Sequence, residues 1–416
     1  MRLLMLLMSV GLLAAETVHE PTFADVNKAL GIELLVDDNL WDDEAKTVAD
    51  RLGWPEESAT KTDASYRLYP SERQRLLGCR PYSCAFLAEQ GKPWSLSLMF
   101  ANKGDGVTIA SKDAKDPAKV RARDAQIKEF KKGIQEDAQN LAARLTELFG
   151  KPAADKLGQG RRLSESARRW DWKGHAFLLV AQKDEYVALR IMASRVADEG
   201  GRSRVTDADL MARAKGNVER RANGDVVIRE IPMVNQGPKG YCVPATWERV
   251  MRYMGVPADM YVLAMVGQSG AGGGTSLTAL AAGARDTITA AGRKLETASF
   301  KPEPGQVAKY IDRGLPIIWS MYSTDEYNQL ADARTRARGA APDAATWKKT
   351  LAESRKGQKP LKPDREQGHV CMIIGYNKET GEIAVSDSWG PQFEERWVLG
   401  SEAALMSQGE MMIIGF

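Results

Sequence analysis

Asn235-Gln236-Gly237-Pro238-Lys239-Gly240-Tyr241-Cys242-Val243-Pro244-Ala245 sets a glutamine six residues ahead of a cysteine that opens a helical pattern. Val243, Trp247, Val250, Met251 and Met254 recur at helical spacing, Gly255 follows the last of them and Pro257 lies just beyond. Pro244 fits the first turn, where a backbone N–H has no intrahelical partner to lose. A free thiol has a pKa of roughly 8.5, and a helix start lowers it because orphan N–H groups and the macrodipole favour the thiolate. Attack of that thiolate on a carbonyl creates an oxyanion, which a nearby amide side chain and a backbone N–H at the helix start would both bind. Taken alone, Cys242 would read as a small buried apolar residue. What changes the reading is the set of partners further along the chain.

His369 opens the apolar run Val370-Cys371-Met372-Ile373-Ile374-Gly375-Tyr376, and Asp387 stands in Val385-Ser386-Asp387-Ser388-Trp389-Gly390. Only three histidines occur in the 416 residues. His19 lies near the N-terminus, and His175 begins a strand pattern elsewhere, where a satisfied core or edge histidine is the simpler reading. His369 is thus the candidate to accept the thiol proton and pass a proton to a leaving amine. Asp387 is the candidate to hold the other ring nitrogen and fix the tautomer. Cys371, two residues after His369 on the same strand face, reads as core.

The ordered set Gln-Gly-x-x-Gly-x-Cys, Gly-His and Asp-Ser-Trp-Gly resembles the papain-like cysteine peptidase superfamily over roughly residues 229 to 416. Papain has asparagine at the position of Asp387. The Cys, His and Asp combination is closer to the bacterial peptidases that process leader peptides of exported bacteriocins. The resemblance implies a central helix bearing Cys242 against an antiparallel sheet, a peptide or protein substrate, an acyl-enzyme thioester and no cofactor. It also implies that Trp389 shields the contact of His369 with residue 387 from water, and that Gln236 is the oxyanion donor. Two other readings stay open: a cell-wall endopeptidase or acyltransferase of the same superfamily, and a peptide-binding protein that keeps the scaffold without turnover. Cell-wall enzymes of the superfamily often carry an acid directly before the cysteine, where this chain has Tyr241.

Composition narrows the rest. A 43% hydrophobic content supports well-formed cores, so disorder is not the default. Lys and Arg number 58 against 55 Asp and Glu, a formal +3, which gives no broad electrostatic reason to expect nucleic acid. Residues 1–15 have one early charge, Arg2, ahead of an apolar run ending Ala14-Ala15, the pattern of a secretory signal peptide. The run is short for a membrane span and no later one is long enough. Export would place the protein in the periplasm or outside the cell, where Cys79 and Cys84 either close a small disulfide loop or remain buried thiols. No cluster of His, Cys and carboxylates has metal-site spacing.

The expected fold class is α+β. Residues 16–195 read as a separate N-terminal α+β domain: helices at 23–30 and around Trp41 to Leu52, a hairpin at 85–100, a long helix through Ile127 to Leu148, and strands at 175–181 and 186–193. Residues 196–228, charged and rich in Gly and Arg, read as a linker. The second domain, 229–416, shows strand runs at 315–321, 369–376, 382–386 and 411–416, interrupted by a charged insertion at about 325–367. Gly272-Gly273-Gly274-Thr275-Ser276 reads as a capped turn or as the bare-backbone wall of a substrate groove, and it lacks the lysine of a phosphate loop. The N-terminal domain reads as a recognition, inhibitory or propeptide module.

Overall fold

The computed structural model describes residues 20–109, 115–158, 162–200, 205–238 and 240–416. The signal-peptide reading at 1–15 lies outside them. The protein is α+β, with two antiparallel sheets of eight strands each. The N-terminal sheet has β1 (Glu56–Ala59), β2 (Asp63–Leu68), β3 (Ser83–Glu89), β4 (Lys92–Asn102), β5 (Ala153–Leu157), β6 (Glu165–Trp172), β7 (His175–Gln182) and β8 (Tyr186–Ala193), in the spatial order β1-β2-β3-β4-β8-β7-β6-β5. Helices α1 (Phe23–Leu30) and α2 (Ala45–Leu52) precede it, and each ends in a left-handed glycine, Gly31 and Gly53. Between β4 and β5 runs α3 (Pro117–Phe149), capped by the Asp116 carboxylate and started by a proline, with Phe130, Ile134, Leu141 and Leu145 buried toward the sheet.

A short α4 (Ser194–Asp198) and α5 (Asp207–Gly216) lead into the second sheet. Its strands are β9 (Val218–Arg220), β10 (Asp225–Ile228), β11 (Lys294–Ala298), β12 (Ile317–Tyr322), β13 (Gly368–Asn377), β14 (Glu382–Ser386), β15 (Arg396–Leu399) and β16 (Ser407–Gly415). The path runs β11-β16-β12-β13-β10-β9, with β14 along the edge of β13 opposite β12 and β10, and β15 beyond it. Residues 218–228, read as linker, therefore supply strands, and β10 pairs directly with β13. Among the helices are α6 (Cys242–Tyr253), α7 (Met260–Val266), α8 (Leu277–Ala290), α9 (Pro304–Ile311), α10 (Asp325–Ala340), α11 (Ala344–Ser354) and α12 (Gly400–Met406).

Helix α6 is the hub. It packs on β12, β13, α7 and α8, and every residue from Val243 to Tyr253 is buried. The apolar stripe read from the sequence accounts for only part of that. Its polar positions are buried as well, and each finds a partner: Glu248 accepts from the Met260 N–H, Arg252 reaches Glu248, and Arg249 donates to Pro232 O and Ser386 Oγ. One continuous apolar core runs through both sheets and this helix.

Strands β1, β2, β5, β6, β9, β10, β11 and β15 were not foreseen. In β1 and β2 the reason is chemical: the buried positions hold Glu57, Ser65 and Arg67, which satisfy one another (Arg67 Nε to Glu57 Oε1, 2.7 Å), so no apolar alternation marks them. The charged insertion likewise folds into α10 and α11. Its inward residues mix a short apolar set, Tyr327 and Ala331 of α10 and Trp347 and Leu351 of α11, with two arginines, Arg334 paired with Glu402 and Arg338 paired with Asp225 and Glu382, so ion pairs anchor it where the apolar pattern is thin.

Candidate active site

Cys242 is the first residue of α6, half-buried at the floor of a cleft of about 690 Å³. Gly240 and the Gly272–Gly274 backbone form one side of that cleft; Gly368, His369, Gln408 and Glu410 lie among the residues of the rest. The glycine run thus lines the cleft, and Ser276 just after it caps α8 by accepting from the Ala279 N–H.

Sheet register explains how the other candidates converge. On β13, His369 and Cys371 point to the same face. Met372 stands opposite Ser386 of β14, so the next residue, Asp387, comes beside Cys371 and diagonal to His369. The result is a hydrogen bond of 2.7 Å between His369 Nε2 and Asp387 Oδ1. His369 is also hydrogen-bonded to Cys242, which leaves Nδ1 as the nitrogen facing the sulfur. Burial alone would lower the imidazole's pKa; the bonds to Asp387 and Cys242 and their negative charge outweigh it and raise it to about 9. Burial would raise the Cys242 thiol, but the hydrogen bond and charge of His369, with the Val370 and Val243 backbone, bring it below its ordinary value. These opposite shifts both favour the ion pair of thiolate and imidazolium over the neutral pair.

Asp387 is 1% exposed and does not stand alone. Arg396 donates to its Oδ2 through Nη2 (2.6 Å) and Nε (3.2 Å). Burial would raise the carboxyl; the Arg396 cation, then His369, hold it below the usual range. Arg396 itself is shared with Asn328 and Asp332 of α10, so the insertion braces the site from behind. Trp389 lies against the imidazole, ring centroids 4.8 Å apart, and also under the Arg396 guanidinium. Its ring therefore packs against both of the groups that hydrogen-bond Asp387.

Gln236 sits in the irregular segment between β10 and α6, half-buried, and its N–H donates to Ser388 O at 2.8 Å. That bond ties the loop ahead of Cys242 to the residue after Asp387. Arg249 and Thr246 of α6 make the same link from below, reaching Ser388 Oγ (3.5 and 3.3 Å), with Thr246 also donating to Val370 O. Arg396 and Arg249 were missed in the sequence. Arginine beside an acid in an unaligned chain carries no positional signal.

Cys371 completes a trio with His369 and Asp387 whose possible ligand atoms lie within 4.8 Å, a grouping the sequence spacing had not suggested. The set suits a cation poorly. Burial and the Asp387 charge keep the Cys371 thiol protonated, and a guanidinium already occupies the carboxylate. His175 is a core residue, accepting from Trp41 Nε1 at 2.9 Å. Cys79 and Cys84 are free buried thiols, both pushed up to about 12 by burial.

No helix among the described residues is long and apolar enough to cross a membrane. No curated protein matches the chain. Residues 228–404, somewhat less than half of the chain, match the model of the Peptidase_C39 like family, and this match supports a domain of the papain-like cysteine peptidase superfamily in the C-terminal part, where the sulfur, imidazole and carboxylate are so arranged.

Proposed function

We propose that the protein is an exported cysteine peptidase that cleaves peptide bonds through a thioester on Cys242. The observation that carries this reading is the unbroken line of hydrogen bonds from Cys242 through His369 to Asp387 at the floor of an open cleft. The thiolate sulfur attacks the scissile carbonyl carbon, and the carbonyl's electron pair moves to oxygen. Gln236 and the Cys242 N–H at the start of α6 stabilise that oxyanion. Collapse of the intermediate expels the amine, which takes its proton from the His369 imidazolium and leaves an acyl thioester. The neutral imidazole then removes a proton from water, which attacks the thioester; release of the acid restores the thiolate and the imidazolium. Asp387 keeps the ring oriented and stabilises its charged form. Within the superfamily, a carboxylate at 387 in place of an amide favours the leader-peptide-processing branch, and the Arg2-to-Ala15 segment favours export.

Replacing Cys242 by Ala is expected to abolish hydrolysis of a peptide library and labelling by a thiol-directed epoxide. Undiminished turnover would refute the assignment.

A further inference from the structure

The segment between β10 and α6 has no ladder or helix among its described residues, yet it carries Gln236 and delivers Cys242. Buried backbone groups in such a segment need partners from elsewhere. Beside the bonds to Ser388 and Arg249 described above, several come from the N-terminal sheet and the residues that flank its strands. Asn235 is held at both backbone groups: its N–H donates to Glu57 Oε1 of β1 (2.7 Å), and its carbonyl accepts from the Tyr69 hydroxyl just past β2 (2.6 Å). Met233 N–H donates to Ser58 Oγ at 2.9 Å. Gly237, with φ 72°, turns beneath the Tyr69 ring so closely that a Cβ there would come within 2.9 Å of it. On the other side of the turn, Tyr241 donates from its hydroxyl to Asn102 Oδ1 at the end of β4. Glu57 is itself fixed by Arg67 and Ser65, so its bond to the loop is charge-assisted and buried.

We infer that the N-terminal sheet is a permanent part of the catalytic apparatus, with Glu57, Tyr69 and Asn102 acting as positioning residues that hold the oxyanion loop in register with Cys242. The inference rests on the peptidase reading above and assigns the N-terminal region a role that a detachable propeptide could not fill. Clamping Asn235 from both sides fixes the backbone on which Gln236 is carried. The sulfur is held separately, by α6 and His369. Loss of the clamp therefore weakens oxyanion binding and leaves the nucleophile intact.

The test uses a reaction that forms no oxyanion. Iodoacetamide alkylates the thiolate by displacement of iodide, so its rate reports Cys242 and His369 alone. In the full-length protein, Tyr69→Phe removes one hydroxyl and keeps the ring. Losing one hydrogen bond of ordinary strength should lower kcat for a peptide ester or amide by roughly tenfold. KM and the alkylation rate should stay within about twofold, the scatter expected of a contact outside the substrate cleft. Tyr241→Phe should give the same signature from the other end of the loop. Combined with Gln236→Ala, Tyr69→Phe should add little further loss, because both act on one interaction. Unchanged kcat in both phenylalanine variants, equal falls in turnover and alkylation, or fully additive losses with Gln236→Ala would each overturn the inference. Unimpaired turnover in Gln236→Ala alone would instead remove the oxyanion assignment on which it rests.

Discussion

Asp387→Asn should be far more damaging here than the change of one atom suggests, and the reason is Arg396. The native carboxylate serves two cationic neighbours at once: Oδ1 accepts from His369 Nε2 at 2.7 Å, and Oδ2 accepts from Arg396 at 2.6 and 3.2 Å. An asparagine can offer its oxygen to only one of them and must turn its NH₂ toward the other, donor against donor. Breaking a buried ion pair costs about 3–5 kcal/mol; because Arg396 keeps Asp332 and Asn328, we expect roughly 2–4 kcal/mol here. Thermal unfolding should therefore begin several degrees lower. Catalysis should shift as well. His369 is raised to about 9 partly by this carboxylate, so its removal should move the alkaline limb of kcat/KM downward by at least about one pH unit, about 1.4 kcal/mol of imidazolium stabilisation. The sign of the pH dependence follows from the direction of the shift. A group raised on folding stabilises fully below its unfolded value, about 6.5 for histidine, and loses that contribution as pH rises through about 9. The stability deficit of the variant should accordingly be widest around neutral pH, narrow above 9 and narrow again in acid as Asp387 itself takes up a proton, measured by denaturant titration at several pH values. Adding Arg396→Met should recover part of the lost stability, since it removes the stranded cation. An unchanged alkaline limb together with an unchanged unfolding midpoint would refute the argument.

Iodoacetamide should alkylate Cys242 with a pH profile displaced below that of an ordinary thiol, because His369 lowers its pKa; a profile that coincides with that of a free cysteine would contradict the ion pair. Trp389→Ala should admit water to the bond between His369 and Asp387 and lower kcat by roughly tenfold, with greater sensitivity to added salt, read by comparing turnover at low and high ionic strength. Arg338→Met should strand the buried carboxylates of Asp225 and Glu382 and strip the cation from over Trp397, destabilising the protein by about 3–5 kcal/mol in chemical denaturation while leaving turnover per folded molecule near native.

The sequence is most legible where chemistry restricts the choice of residue. Cys242, His369 and Asp387 can be picked out because so few histidines exist and because each follows a recognisable local pattern: a helix start, a strand start and a strand end. The strands β12, β13, β14 and β16 are apolar runs buried in the core, and they announce themselves in the same way. Legibility fails where burial is achieved by ion pairs. Glu57 with Arg67, Arg338 with Asp225 and Glu382, and Arg396 with Asp387 all occupy interior positions. In a single sequence each reads as a solvated charge. Helix α6 shows the same limit from the opposite side: its stripe of Val243, Trp247, Val250 and Met251 is visible, but nothing in the letters says that Glu248, Arg249 and Arg252 are covered too.

That coverage has a kinetic consequence. Amide hydrogens exchange with solvent through local openings, and openings are rarest where both flanks of an element are sealed. The segment from Val243 to Tyr253 should therefore be among the slowest to take up deuterium, while the run of glycines on the cleft wall exchanges early. The Cys242 sulfur would then ride on a nearly immobile axle, and any accommodation to an incoming chain would fall to the wall at Gly272–Gly274.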